Sequence, residues 1–281
     1  MGRRLAAAAD RLRRAGVPDA RLDAELLMAA LLDVDRGALF VRRDERLDTT
    51  CDARYETLLR RRERREPLQH ILGTQEFYGL EFRVDPRALI PRPETEGLID
   101  AALGLDLPRR ALVADLGTGS GCLAVTLASR RPDLVVHAMD RSGDALDLAR
   151  GNAGRHAVLD RIEFREGDLG VCPDDWCDRM DLVVCNPPYV ALADWRTLEP
   201  EVRDHDPREA LVAGEDGLDA HRRLLPAAFA MLRPEGALLL EIGAGQEDAV
   251  RALAAGAGFS GIDVRPDLRG VPRVLSAERR A

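Results

Sequence analysis

The chain contains no lysine: every one of its 41 Lys+Arg cations is an arginine. We read this as coding bias, but it removes lysine nucleophiles and Schiff-base chemistry from consideration. Aromatic residues are scarce, at 4% of 281 residues, so Ala, Leu and Val must build the core. The cysteines, Cys51, Cys122, Cys172, Cys177 and Cys185, are odd in number and include no Cys-x-x-Cys pair. Cys172 and Cys177 are near each other, but no His or second pair completes a zinc set, so no metal is expected. Reduced thiols of this kind suit the cytosol. No apolar run approaches the ~18–20 residues that span a bilayer. The first nine residues carry arginines without an apolar stretch and cleavage site. A cytoplasmic protein without membrane association is therefore expected.

What is present is an ordinary globular composition, 46% hydrophobic and 32% charged. The length suits one large or two modest domains. The net charge of −8 argues against a protein that coats nucleic acid. Residues 1–70 nevertheless carry 16 Arg against 13 acids, so they are the relatively basic part.

Residues 1–66 read as helices. Leu5, Ala8, Ala9 and Leu12 recur at helical spacing until Gly16 and Pro18. A second helix is predicted over Ala20–Leu32, and a third, capped by Asp48 or Thr49, through Leu59. The run from Arg60 to Glu66 is a solvated helix face or a binding patch. At Pro67 the pattern changes. Residues 71–84, with Phe77-Tyr78-Gly79-Leu80-Glu81-Phe82 at their centre, read as a β-hairpin. Ile90-Pro91-Arg92-Pro93-Glu94-Thr95-Glu96 is held extended by its prolines and leads into a helix.

From residue 109 onward, apolar runs at 111–115, 134–139, 162–165, 181–185 and 237–242 alternate with helical stretches. That alternation predicts an α/β fold, a parallel sheet with helices on both faces. Runs at 262–265 and 273–277 have no helix between them and suit an antiparallel edge. The expected division is a helical substrate-docking domain over 1–66, a hairpin linker over 67–90 and a catalytic domain over 91–281.

Four motifs carry chemistry. Asp115-Leu116-Gly117-Thr118-Gly119-Ser120-Gly121 follows a predicted strand and opens a helix. Glycines there let backbone approach a ligand, and the free N–H groups favour electron-rich atoms. Asp140 closes the next strand, 19 residues beyond Gly121, where doubly wound folds place an acid on ribose hydroxyls. It could instead cap the following helix, a role Ser142 could equally fill. The glycine spacing and the leading Asp115 suit a cofactor without phosphate, such as S-adenosylmethionine. Asp168-Leu169 follows the third strand, where an acid could accept from an adenine amine and a leucine could pack on the ring; a plain loop acid and core leucine fit the spacing nearly as well. Asn186-Pro187-Pro188-Tyr189 ends the strand at 181–185, because two prolines cannot continue a sheet. A planar nitrogen nucleophile needs its two hydrogens held. The Asn186 oxygen can accept one and the Pro187 carbonyl the other, while Tyr189 offers a flat face.

Together these motifs resemble the class I S-adenosylmethionine-dependent amino-group methyltransferases. Within that class the chain is similar to the bacterial peptide-chain release factor glutamine methyltransferase family, the protein-(glutamine-N5) methyltransferases. The resemblance also rests on Glu66-Pro67-Leu68-Gln69-His70-Ile71-Leu72-Gly73, Leu89 to Glu96 and Glu215-Asp216-Gly217-Leu218-Asp219. It implies a small helical domain, a hairpin linker and a Rossmann-like catalytic domain. It implies transfer of a methyl group to the glutamine amide of Gly-Gly-Gln in class I release factors, leaving S-adenosylhomocysteine. Gly117 to Gly121, Asp140, Leu169 and Asn186 would contact the cofactor, and Asn186 to Tyr189 the glutamine. The chain departs from the family at His205-Asp206-Pro207, at Val271-Pro272-Arg273 and at Leu169.

Two rivals differ in kind. A DNA adenine methyltransferase uses the same Asn-Pro-Pro-Tyr logic on a flipped base, but needs a basic duplex-gripping surface, so direct DNA binding is not expected. A non-catalytic adaptor would bind cofactor without needing the methyl-transfer residues.

Overall fold

The computed structural model describes residues 1–280, which form two compact units. The first comprises Met1–Thr74 and Leu198–His205. The second comprises Gln75–Thr197 and the described residues from Asp206 onward.

The first unit holds α1 (Gly2–Arg14), α2 (Ala20–Leu32), α3 (Arg36–Val41), α4 (Thr49–Glu63), α5 (Leu68–Leu72) and the short α9 (Pro200–Arg203). Asp35 caps α3 by accepting the Ala38 N–H at 2.8 Å, and Asp48 caps α4 through Cys51 N–H at 2.7 Å. Leu12, Ala24, Leu27, Met28, Tyr55 and Leu59 close a small core. The buried Tyr55 hydroxyl donates to the Ala24 carbonyl at 2.8 Å.

The arginine run divides: Arg60 and Arg64 are exposed, whereas Arg62 is buried and Arg65 is half-buried. Arg60 pairs with Glu56, and Arg61 with Glu66. The buried Arg62 reaches Asp23 at 2.7 Å and Glu201 at 2.8 Å. Arg65 holds Glu201 at 2.6 Å and Glu199 at 3.0 Å. Residues 198–205 thus join this unit through arginines that the charge pattern alone would place in water.

In the second unit β1 (Thr74–Phe77) and β2 (Leu80–Arg83) form the expected hairpin. Tyr78 and Gly79, at φ 52° and 76°, supply the two positive dihedrals of a tight turn whose twist suits the strands. The hairpin is shorter than 71–84, because Ile71 and Leu72 belong to α5.

Then follow α6 (Glu96–Leu103), β3 (Leu112–Leu116), α7 (Cys122–Arg130), β4 (Val135–Asp140), α8 (Gly143–Arg155), β5 (Ile162–Glu166) and β6 (Met180–Cys185). The chain ends with α10 (Asp219–Met231), β7 (Leu232–Glu241), α11 (Glu247–Gly256), β8 (Phe259–Pro266) and β9 (Pro272–Arg279). The seven strands lie in the order β5-β4-β3-β6-β7-β9-β8. The first five are parallel; β9 pairs antiparallel with both β7 and β8. This is the α/β sheet and antiparallel edge that the sequence pattern predicts. Side chains alternate between two cores: Leu182 and Val184 of β6 enter one, Val183 and Cys185 the other. The order reverses beside β3, so a cleft opens at the carboxyl ends of β3, β4 and β6.

Candidate active site

A cavity of about 670 Å³ lies at that cleft, walled by residues 87–92, Thr95, Gly117–Ser120, Asp140–Ser142, Gly167–Leu169 and Asn186–Pro188 among others. It therefore gathers loops that follow four different strands.

The glycine loop leaves β3 at Leu116. Gly117 and Gly119 take φ 72° and 56°, and a Cβ on Gly117 would meet nothing within 4 Å. That empty space belongs to the cavity. Gly121 has a different role: a Cβ there would stand 3.0 Å from Ala149 Cβ, so this glycine lets α7 pack on α8. Asp115 is fully buried behind the loop. Its Oδ2 accepts from Thr118 Oγ1 at 2.6 Å and from the Ala124 N–H at 3.1 Å. Its Oδ1 has no partner among the described residues. Burial pushes this carboxyl up to about 7.

Asp140 closes β4 and faces the cavity. Its Oδ2 accepts from the Gly119 N–H and its Oδ1 from the Ser142 N–H, both at 2.9 Å. Ser142 is the cap of α8, its Oγ accepting from the Ala145 N–H at 3.2 Å. The two candidates for that cap are thereby separated, and Asp140 keeps lone pairs for hydroxyl donors. Asp168 accepts from the Gly170 N–H at 2.8 Å and from Arg223 at 2.5 Å. Burial opposes ionisation there, but these two donors hold the carboxyl below its ordinary value. Leu169 stands on the same wall, backed by the second core.

Asn186 follows β6, and its amide nitrogen donates to Thr95 Oγ1 at 3.0 Å. Thr95 in turn donates to Glu241 Oε2 at 2.6 Å, and the Tyr189 hydroxyl donates to Glu241 Oε1 at 3.2 Å. Burial pushes the Glu241 carboxyl up, while Thr95, Tyr189 and the charge of Arg273 oppose it. No donor among the described residues reaches the Pro187 carbonyl. Gln246 donates to the Tyr189 carbonyl at 3.0 Å and to that of Gly217 at 3.2 Å, holding the turn from behind.

Of the residues singled out by sequence, Gly117, Thr118, Gly119, Ser120, Asp140, Asp168, Leu169, Asn186, Pro187 and Pro188 share the cavity wall. Asp115, Gly121 and Tyr189 lie outside it and brace it. The sequence alone assigns no role to three contributors: Arg92 and Thr95, which lie in the Leu89 to Glu96 segment that carries the resemblance, and Glu241. Arg92 lines the cavity and pairs with the buried Asp206 at 2.5 Å. The departure at His205-Asp206-Pro207 thus still supplies an acid to this arginine. Burial pushes Asp206 up to about 6 against the pull of Arg92.

Comparison with known proteins places the chain. Residues 4–73 match the family described as PrmC N-terminal domain, and residues 101–198 the methyltransferase small domain. The release factor glutamine methyltransferase of Geobacter sulfurreducens is 44% identical over 260 residues, covering 92% of this chain and 90% of the relative. That of Cereibacter sphaeroides is 44% identical over 274 residues, covering 97% and 96%. A methyltransferase structure from Pyrococcus furiosus shares the fold, with a TM-score of 0.53 at 16% identity over 73% of this chain and 91% of that one. Near-full-length identity at this level, on a methyltransferase sheet whose cavity joins the glycine loop to Asn186-Pro187-Pro188, shows that the chain belongs to the release factor glutamine methyltransferase family.

Proposed function

We propose that this enzyme transfers a methyl group from S-adenosylmethionine to the side-chain amide nitrogen of the glutamine in the Gly-Gly-Gln motif of class I peptide-chain release factors. The observation that carries the reading is the shared wall. The turn at Asn186 and Pro187 and the loop at Gly117 to Ser120 face one cavity, so a methyl donor and an amide can meet there.

The residues present fit S-adenosylmethionine. The open face at Gly117 accepts close approach, Asp140 has acceptors for ribose hydroxyls, and Asp168 with Leu169 offers an acceptor and an apolar surface for adenine. The unpartnered Oδ1 of Asp115, buried beneath the loop, is a hydrogen-bond acceptor on the side where the cofactor's amino group would lie. When bound, the cofactor supplies an already activated methyl group. The chain's own task is then positioning, which can supply up to ~7–11 kcal/mol. Asn186 Oδ1 accepts one amide hydrogen and the Pro187 carbonyl the other. Both bonds strengthen as the nitrogen gains positive charge. Asn186 is neutral and does not take the final proton. Tyr189 braces the turn through Glu241 and Gln246.

A Gly-Gly-Gln loop is too small to fill the ~1,600 Å² of a standard interface. We assign the rest of the contact to the helical unit, acting on the body of the release factor in the cytoplasm. Arg60, Arg61, Arg64 and Arg65 are the arginines expected to take part: Arg60 and Arg64 are exposed, while Arg61 and Arg65 also hold ion pairs within that unit. The test is to incubate the enzyme with labelled methyl donor, a release factor and duplex DNA. Label on the release factor alone supports the reading; label on DNA, or none, refutes it.

A further inference from the structure

We propose that Thr95 and Glu241 are positioning residues that fix which way the Asn186 amide points, so that its oxygen, not its nitrogen, faces the substrate. The inference rests on the methyl-transfer reading above and adds two residues to its machinery.

An asparagine amide is nearly symmetric in shape but opposite in chemistry at its two ends. A substrate amide nitrogen presents two N–H donors. If Asn186 offered its own NH₂, donors would face donors and the clamp would repel. Something must select the orientation. Thr95 has a single hydroxyl proton, and its Oγ1 lies 2.6 Å from Glu241 Oε2. Burial disfavours the charge on Glu241, but the Tyr189 hydroxyl and the charge of Arg273 favour it, and in that ionised form the carboxylate only accepts, so the proton belongs to Glu241. Only lone pairs of Thr95 then remain for Asn186, 3.0 Å away. The group of Asn186 that meets them must be the donor, Nδ2. Oδ1 is left for the substrate.

The surroundings hold this relay in place. The Tyr189 hydroxyl donates to the other carboxylate oxygen at 3.2 Å, tying both ends of the Asn-Pro-Pro-Tyr turn to Glu241. Cys185 and Leu240 are partners in the β6–β7 register, which sets Asn186 and Glu241 side by side. Thr95 and Glu241 are 2% and 1% exposed. A buried carboxylate is costly unless hydrogen bonds satisfy its oxygens, as Thr95 and Tyr189 do here. Here the acceptor-only character of that carboxylate propagates through one hydroxyl to the reacting amide.

The experiment uses the full-length enzyme, an intact release factor and three variants. Thr95→Val keeps the shape but removes the hydroxyl; Thr95→Ser restores it. Glu241→Gln can donate to Thr95 and so reverse the relay. We expect kcat to fall about tenfold or more in Thr95→Val and Glu241→Gln, with affinity for S-adenosylhomocysteine, read by calorimetry, within about twofold. Thr95→Ser should recover kcat to within about threefold of the parent. A kcat unchanged in both Thr95→Val and Glu241→Gln overturns the inference. So does a parallel loss of kcat and S-adenosylhomocysteine affinity, which would mark a merely structural bond. Should Thr95→Val fail to fold, Glu241→Gln against Thr95→Ser decides by the same criteria. A parent enzyme that binds S-adenosylhomocysteine but leaves the release factor unmethylated overturns the reaction reading, and the inference with it.

Discussion

Asp140 accepts a hydrogen bond from the Gly119 N–H across 2.9 Å, tying the end of β4 to the glycine loop that follows β3. One carboxylate thus shapes the loop and still faces the cavity. Replacing Asp140 with Ala removes acceptors for ribose hydroxyls, and bonds to a charged group contribute ~1.5–3 kcal/mol. Calorimetry with S-adenosylhomocysteine should show affinity about tenfold weaker or worse. Unchanged affinity would mean that Asp140 serves the loop alone.

Gly217 sits against the Tyr189 carbonyl at φ 76°, so closely that any Cβ would overlap it, with Gln246 Nε2 only 2.8 Å away. Gly217→Ala must move the Asn-Pro-Pro-Tyr turn or strain the backbone, at a cost of order 1–3 kcal/mol. The expected result is a lower unfolding midpoint together with a kcat loss larger than any loss in S-adenosylhomocysteine affinity. Equal kcat in parent and variant would show that the close approach has no bearing on the turn.

Arg62 and Arg60 are two residues apart and occupy opposite environments. Arg62 is buried between Asp23 and Glu201, whereas Arg60 is exposed. Removing one partner of a buried pair leaves uncompensated charge, so Arg62→Ala should cost ~3–5 kcal/mol of stability. Arg60→Ala, an exposed pair, should cost ~1 kcal/mol or less. Urea unfolding of both distinguishes them; equal, small effects would contradict the burial.

Asp115 sets a pH dependence. Its folded-state value, about 7, lies above the ~3.9 of an unfolded aspartate. A raised carboxyl stabilises the fold fully below the unfolded value, and that contribution is lost as pH rises through the folded one. Asp115→Asn does not titrate. Its unfolding midpoint relative to the parent should therefore climb between about pH 4 and 7 and level off above. A constant difference across that range would show that Asp115 is not held protonated by burial.

The alternating strands, the glycine loop and the Asn-Pro-Pro turn are legible in sequence because each depends on local spacing. The parallel strands are short continuous apolar runs, as expected of strands buried on both faces, and Pro187-Pro188 stops β6 without help from elsewhere. α3 and α5 escape notice because six- and five-residue helices carry too few periods to read. The pairing of Arg62 with Glu201 spans well over a hundred residues, and no charge pattern anticipates it. Thr95 is hidden for a similar reason. It lies in a segment whose prolines are conspicuous, but its role exists only once β6 and β7 bring Asn186 and Glu241 beside it.

The most direct measurement is single-turnover methylation of an intact release factor by Asn186→Ala at saturating cofactor. The parent should place one methyl on the glutamine of Gly-Gly-Gln. The variant should lose far more rate than S-adenosylhomocysteine affinity, because the main contact of Asn186 is to the reacting amide. A variant that retains the parent rate within about tenfold would contradict the amide clamp on which the account rests.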